Sequence, residues 1–206
     1  MNVQRTVVAI TGASGIQYAQ RLLHVLAAKQ VETHVVFSSA AFEVWRAELD
    51  VPCKPEKPDL TAFCGVEAKT LKLYRNDMIG AAIASGSFRH RGMVICPCTM
   101  ATLGRVANGT GDGLIERAAE VTLKERRKLL LVPRETPYSL IALRNMVAVT
   151  EAGATIIDAN PGFYSRPKAV GDMIDFVVAR VLDQLEIEHD LGKRWGEPGT
   201  SRERKP

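Results

Sequence analysis

The stretch at residues 128–138, KLLLVPRETPY, gives the strongest indication of the fold. Its apolar run at 129–132 is typical of a strand that is buried on both faces, as in a parallel sheet. Two prolines prevent a helix from starting at once, so Arg134 and Glu135 stay at the carboxyl end of that strand. Ligands of open α/β sheets bind at this end of the strands. The stretch therefore predicts an α/β fold with a cation and a carboxylate at its ligand-binding edge.

The Arg134–Glu135 pair has two interpretations. A guanidinium binds a phosphate or carboxylate through two parallel hydrogen bonds, and an adjacent carboxylate can move a proton. Taken alone, such a pair is more often a solvated ion pair on a loop. The rest of the chain favours a ligand site.

Strand-like and helix-like segments alternate along the chain. Strands are predicted at 6–10, 33–37, 71–74, 93–96, 128–132 and 155–157, and helices at 16–27, 40–49, 99–108, 114–125, 139–152 and 170–185. This βαβα order predicts a mainly parallel sheet with helices on both faces. We expect residues 1–192 to form one domain and residues 193–206 to form a polar tail that packs poorly.

The composition excludes several classes of protein. The 206 residues are 46% hydrophobic and 24% charged, which is ordinary for a soluble globular domain. No apolar run reaches the length of a membrane span, and no signal peptide is evident, so we expect a cytoplasmic protein without a membrane partner. The net charge of +4 lies mostly in residues 193–206, which hold five basic and two acidic residues. The body therefore lacks the basic stripe of a nucleic-acid-binding protein.

The cysteines and His90 are not predicted to carry chemistry. Four cysteines in a chain this long do not make a disulfide framework, and no second Cys or His pair stands at metal-ligand spacing. We expect buried thiols and no metal site. His90 is a candidate base, but it lies between two arginines ahead of a strand, and we predict that it is exposed.

Two turns indicate the kind of ligand. Residues 11–15, TGASG, join the first strand to the first helix, where backbone N–H groups and a helix N-terminus favour an anion. The second strand ends in Ser38-Ser39 rather than in the acidic residue that binds the ribose of NAD. A mononucleotide such as FMN therefore fits this sheet better than NAD. A plain turn at 11–15 and a helix cap at Ser38 are equal alternatives.

Further polar residues could bind a phosphate. Arg117 and Lys124 are seven residues apart and share one face of a helix, although a solvated helix end is the usual reading. Tyr164 follows the last predicted strand. Arg180 lies among valines in the last helix, where a cation needs an anionic partner or a route to solvent, and Asp175 and Asp183 are the candidates.

Together these segments resemble the flavin prenyltransferase family of the UbiX/Pad1 type, within the wider group of flavin-binding cysteine-decarboxylase-like proteins. The resemblance runs from Thr11 to about Trp195. Its most specific motifs are LKERR at 123–127, VPRETP at 132–137 and PGFY at 161–164. The chain departs from the family where Gly113 replaces the usual Asn, and where Cys-Pro-Cys-Thr at 96–99 replaces Ala-Pro-Cys-Ser.

The resemblance implies a flavodoxin-like Rossmann sheet assembled into trimers and dodecamers. It implies transfer of a dimethylallyl group from dimethylallyl phosphate to reduced FMN, without a metal. The flavin N5 attacks the allylic carbon as phosphate leaves, and ring closure at C6 follows. The product, prenylated FMN, is the cofactor of partner decarboxylases of the UbiD type. The sequence leaves open whether the donor is the mono- or the diphosphate.

The resemblance also assigns roles to residues of this chain. The residues that would contact FMN are Gly12, Ala13, Ser14, Ser38, Thr99, Met100, Ala101, Thr102 and Arg134. Those that would hold the prenyl donor are Tyr164, Arg180, Lys124, Arg117 and Ser87. The catalytic set would be Glu135, Glu48, Ser14 and Lys124, with the two glutamates handling protons.

Two other functions stay open from the sequence. The first is a flavin-dependent decarboxylase acting on a peptidyl or pantothenoyl cysteine, which would not need a phosphate site at Lys124, Glu135 and Arg180. The second is an FMN-binding subunit without catalysis.

Overall fold

The computed structural model describes residues 5–192. Within this range the strands are β1 (Arg5–Ile10), β2 (Glu32–Phe37), β3 (Leu71–Arg75), β4 (Gly92–Cys98), β5 (Lys128–Pro133) and β6 (Thr155–Ile156). The helices are α1 (Ile16–Ala28), α2 (Ser39–Glu48), α3 (Leu60–Cys64), α4 (Met100–Asn108), α5 (Leu114–Lys124), α6 (Leu140–Glu151) and α7 (Val170–Gln184).

The six strands form one parallel sheet in the order β3-β2-β1-β4-β5-β6. This is the doubly wound order, in which the chain reverses direction across the sheet between β1 and β4. The predicted Rossmann-type α/β sheet is confirmed. Its topology places the ligand-binding crevice at the carboxyl ends of β1 and β4.

Each face of the sheet has its own core. All of β4, and all but the first residue of β1 and β5, are buried. The helices α1, α2, α3 and α7 pack on one face, and α4, α5 and α6 pack on the other. Burial on both faces explains why these strands read as unbroken apolar runs rather than as alternating patterns.

The short helix α3 was not predicted. Five residues are too few to show a helical period, but both of its ends carry local signals. The Asp59 side chain accepts a hydrogen bond from the Ala62 N–H at 3.0 Å, and Gly65 ends the helix in the left-handed conformation. An Asp cap and a terminal Gly, six residues apart, could have identified it.

The domain bounds and the C-terminal tail were also predicted from the sequence. A single domain at residues 1–192 stays a prediction, and the tail at 193–206 lies outside the described residues. None of the described helices combines the length and apolar character needed to cross a membrane.

Candidate active site

Hydrogen bonds join three loops at the carboxyl edge of the sheet. The Thr11 hydroxyl donates to the Pro97 carbonyl at 2.8 Å and accepts from the Thr99 N–H at 2.9 Å, which links the ends of β1 and β4. The Arg134 Nε donates to the Ser14 carbonyl at 3.2 Å, which links the loop after β5 to the loop after β1. The residues predicted to contact FMN therefore meet at one edge. Thr11 had been assigned no role, although a hydroxyl residue at a strand end was a usable signal.

Two glycines shape the loop after β1. A Cβ at Gly12 would collide with Ala40 of α2, so only glycine lets the loop and that helix approach so closely. Gly15 has a φ of +101°, which L side chains rarely adopt. Both positions keep the backbone of residues 12–15 at the crevice.

The Glu48 carboxylate caps the N-terminus of α1. Its Oε2 accepts from the Gly15 N–H at 2.9 Å and from the Ile16 N–H at 3.3 Å. These amides belong to the anion position that the sequence analysis left for a ligand phosphate. In this structure a side chain from the end of α2 fills that position, so a flavin phosphate would need other donors.

Replacing Glu48 with Leu should lower the free energy of unfolding by about 1–2 kcal/mol, because two amides at a partly buried helix end lose their acceptor and the helix dipole loses its anion. Urea unfolding measures the change. Glu43 lies on the same helix and pairs with Arg46 on the surface, so Glu43→Leu is the matched control and should cost less than about 0.5 kcal/mol. Equal effects of the two substitutions would contradict the capping role.

The N-terminus of α4 offers those other donors. The Thr99 hydroxyl accepts from the Thr102 N–H at 3.1 Å and donates to the Thr102 hydroxyl at 3.0 Å. The N–H groups of Met100 and Ala101 stand too early in the helix to have an intrahelical acceptor. Ser38 caps α2 in the same way, since its hydroxyl accepts from the Ala41 N–H at 3.2 Å. A phosphate group fits this helix end better than the end of α1.

The loop after β5 exposes a carboxylate beside the crevice. Glu135 is exposed, and its Oε1 accepts from the Thr136 N–H at 3.0 Å. The nearby Tyr138 hydroxyl donates to the Asp158 carboxylate at 3.0 Å. Burial, together with that hydrogen bond, raises the pKa of Tyr138 to about 12, so the phenol stays protonated at neutral pH. Glu135 is therefore an exposed carboxylate on this loop.

Tyr164 and Arg180 line a cavity of about 780 Å³ between α7 and the loop before it. The Tyr164 ring packs edge-on against Phe176, with 5.7 Å between the ring centroids. The Arg180 side chain is 55% exposed, and its Nη1 donates to Asp183 Oδ2 at 3.2 Å. The structure thus brings two of the predicted donor-binding residues to one cavity.

Arg180 has both of the arrangements that the sequence allowed, an anionic partner and a route to solvent. Val177, Val178 and Val181 face the core, while residue 180 lies on the outer side of the same helix. Of the two candidate partners, Asp183 is confirmed. Asp175 instead pairs with Arg21 of α1, with 2.6 Å between Nε and Oδ1.

Lys124 and Ser87 lie away from the carboxyl edge, whereas Arg117 lies in the first turn of α5. The Leu114 N–H donates to the Asn76 carbonyl just after β3, so α5 begins at the carboxyl edge and runs back towards the amino edge. Lys124 ends this helix, four residues before β5 begins. The six residues of β5 then span about 20 Å before Arg134. Within one chain, Lys124 does not reach the residues around Arg134.

The side chains of these three residues pair with neighbouring carboxylates or hydroxyls. The Lys124 Nζ donates to Glu125 Oε1 at 2.8 Å, and Arg117 Nη1 donates to Glu120 Oε2 at 2.9 Å. The hydroxyls of Ser85 and Ser87 are 2.9 Å apart. A Cβ on Gly86 would contact Lys124 Nζ, so the Ser-Gly-Ser turn adjoins the end of α5.

His90 is buried, and the prediction that it is exposed was wrong. Its Nε2 lies 3.5 Å from the hydroxyl of Thr122 on α5, and the residue is 6% exposed, because the helix covers the entry to β4. Burial lowers the pKa of His90 to about 4, so the ring is neutral at pH 7. It does not lie at the candidate site.

The thiol prediction is confirmed for three of the four cysteines. Cys64, Cys96 and Cys98 are buried, Cys53 is half-buried, and all four are free. Burial raises the pKa of Cys96 to about 12, which makes it a poor nucleophile. Across residues 5–192, no group of three or more His, Cys, Asp or Glu side chains is arranged to hold a metal ion.

Comparisons with known proteins agree with this arrangement. The family model described as Flavoprotein matches residues 1–182. The flavin prenyltransferase UbiX of Pseudomonas aeruginosa is 48% identical, over 94% of this chain and 95% of that protein. The crystal structure of AnUbiX (PadA1), solved with FMN and dimethylallyl pyrophosphate, is 39% identical. It covers 95% of this chain and 99% of its own, with a TM-score of 0.85.

A further solved structure gives an assembly. It is described as a dodecameric FMN-dependent UbiX-like decarboxylase from Escherichia coli O157:H7. It is 40% identical, covers 94% of this chain and all of its own, and has a TM-score of 0.83.

Proposed function

This chain belongs to the flavoprotein family and, within it, to the flavin prenyltransferases of the UbiX type, and we propose that its crevice joins a dimethylallyl group from dimethylallyl phosphate to reduced FMN. The convergence of the loops after β1, β4 and β5 at one edge carries the proposal. That edge combines hydroxyls, a helix N-terminus and a guanidinium, which suit a flavin phosphate. FMN is a substrate of this transferase, and no step requires a metal.

In the reaction a bond forms between the flavin N5 and the allylic carbon, while the carbon–oxygen bond breaks and phosphate leaves with the electron pair. N5 gives up its proton in this step. In the ring closure that follows, the prenyl double bond gains a proton, its tertiary carbon bonds to C6, and C6 loses a proton, so closure releases no net proton. Tyr164 and Arg180 would stabilise the negative charge that builds on the departing phosphate. Glu135, exposed at the crevice, would transfer the proton. Gly12, Ala13 and Ser14 would lie against the flavin.

We assign Lys124, Arg117 and Ser87 to the same reaction through a second copy of the chain. Lys124 and Ser87 lie at the opposite edge of the sheet from Arg134, so a site that uses both Lys124 and Arg134 needs two subunits. Arg117 shares the exposed side of α5 with Lys124. The exposed side chains of Leu140, Ile141 and Val147 give α6 an apolar outer face that supports self-association. A trimer-based homo-oligomer, up to a dodecamer, is the proposed assembly, and the dodecameric relative supports it.

The prenylated flavin is the cofactor of another enzyme. We propose that a decarboxylase of the UbiD type receives the prenylated flavin, because such enzymes use it as cofactor. We also propose a cytoplasmic location, which agrees with the four free cysteines.

The rival cysteine-type decarboxylase gains no support from the geometry. Decarboxylases of that group use an active-site histidine, and the candidate here, His90, is buried under α5. The Tyr164–Arg180 cavity, by contrast, suits a prenyl phosphate.

Replacing Lys124 or Arg180 with Ala should raise the KM for dimethylallyl phosphate at least about tenfold, since each substitution removes a charge-assisted contact to its phosphate. The Kd for FMN, measured by flavin fluorescence, should change less than about threefold, because neither residue lies beside the turn at 11–15. An equal loss of affinity for both ligands would contradict separate binding sites for FMN and for the donor phosphate.

Phosphate release provides the test of the function. Dimethylallyl phosphate incubated anaerobically with the protein should release inorganic phosphate only when reduced FMN is present. Dimethylallyl diphosphate would release pyrophosphate instead, and the rates at which the two leaving groups appear in parallel reactions identify the preferred donor. Phosphate release without any flavin would indicate a simple phosphatase and contradict prenyl transfer.

A further inference from the structure

The end of α7 and the segment after it form a connected polar chain at the Tyr164–Arg180 cavity. Asp183 uses a different carboxylate oxygen for each of two partners. Its Oδ2 accepts from Arg180 Nη1 at 3.2 Å, and its Oδ1 lies 3.2 Å from His189 Nε2. The carboxylate therefore bridges the arginine and the histidine.

The backbone fixes the tautomer of His189. The Leu191 N–H donates to His189 Nδ1 at 3.1 Å, so Nδ1 is the acceptor. The proton of the neutral ring is then on Nε2, which donates to Asp183. The His189 side chain is only 2% exposed, which keeps water from competing for these bonds.

The other two aspartates that line this cavity bind partners other than Arg180. Asp172 accepts from the backbone N–H groups of Lys168 and Ala169 at the start of α7. Asp175 pairs with Arg21. Asp183 is thus the carboxylate that contacts Arg180 within the described part of the cavity, through one nitrogen of the guanidinium.

Anchoring the segment after α7 does not require His189. Leu185 and Ile187 are 2% and 7% exposed and belong to the core on that face of the sheet. The Ile187 N–H also donates to the Leu182 carbonyl. The buried His189 ring adds a contact that these core residues do not make, between its Nε2 and the carboxylate that contacts Arg180.

We propose that Asp183 and His189 are positioning residues that hold the Arg180 guanidinium ready for the phosphate of the prenyl donor. This inference rests on the proposed function of the same cavity. An exposed arginine must lose side-chain freedom when it binds an anion, and a partner that already restrains it reduces that loss. One restraining bond leaves the remaining guanidinium N–H groups for the ligand.

The test is a calorimetric titration of the full-length protein with inorganic phosphate, without flavin. His189→Leu removes both ring hydrogen bonds at similar volume and should weaken phosphate binding about tenfold. His189→Gln keeps an N–H donor and an acceptor, and should stay within about threefold of the unmodified protein. Glu188→Leu, an exposed neighbour, is the control and should change nothing.

The KM values of the two substrates distinguish a positioning role of His189 from a role in folding. In steady-state prenyl transfer, His189→Leu should raise the KM for dimethylallyl phosphate and leave the KM for FMN unchanged. Unchanged phosphate affinity in His189→Leu, or an equal loss in His189→Gln, overturns the inference. If His189→Leu does not fold, Asp183→Ala replaces it, and unchanged or tighter phosphate binding by that variant overturns it.

The titration is independent of the reaction. Phosphate binding with the expected pattern, but without any prenylated flavin, would contradict the proposed function and leave the role of His189 standing. No measurable phosphate binding by the unmodified protein overturns the inference itself.

Discussion

Replacing Glu135 with Gln should lower the rate of prenyl transfer by about 10²–10⁴-fold, the usual contribution of a general acid or base. The amide keeps the size of the side chain and can still accept from the Thr136 N–H, so the loop should keep its conformation. FMN should therefore bind as before. Flavin fluorescence gives the binding constant, and single-turnover product formation gives the rate.

Glu151→Gln is the matched control for this substitution. Glu151 is exposed at the end of α6, away from the crevice, and its replacement should leave the rate unchanged. Loss of FMN binding in Glu135→Gln would instead make Glu135 a flavin contact. Unchanged activity would remove it from the reaction and favour a protein that only carries FMN.

Arg134→Ala and Lys124→Ala should each reduce activity about 10²–10³-fold when purified alone, the typical cost of removing one preorganised donor. Heteromers of the two variants should regain about a quarter of the activity, because random assembly of a symmetric oligomer places the intact Arg134 of one subunit beside the intact Lys124 of another in a quarter of the sites. Co-expression with two affinity tags isolates such heteromers.

The complementation has an internal control. Heteromers of Lys124→Ala with a variant that carries both substitutions contain no intact Lys124 and should stay inactive. Recovery in these control heteromers, or no recovery in the first set, would contradict a site shared between subunits. Light scattering that showed a stable monomer would also argue against it.

The sheet and its helices were predictable because their signals are local. The apolar runs at 93–96 and 129–132 are buried on both faces, and α7 carries its valines at helical spacing. The polar residues that end β1, β4 and β5 meet because the carboxyl ends of parallel strands share one edge. Periodicity and chain order were sufficient for this part.

The remaining features depend on contacts between distant parts of the chain. Glu48 caps α1 from 33 residues away, and a run of residues gives no sign of such a pairing. His90 is buried, and one of its contacts is with Thr122 of α5, 32 residues away in the chain. Asp183 rather than Asp175 pairs with Arg180 because Asp175 pairs with Arg21, which is 154 residues away in the chain. Lys124 is separated from Arg134 because α5 runs away from the carboxyl edge. The local sequence motifs do not indicate the direction of this helix.

The mass of the flavin recovered after anaerobic incubation with dimethylallyl phosphate tests the assigned reaction most directly. Reduced FMN should gain the mass of one isoprene unit, because a prenyl group replaces one flavin hydrogen and ring closure changes no mass. One inorganic phosphate should appear for each flavin converted. Recovery of FMN at its original mass, with the donor intact, would contradict prenyl transfer by this protein.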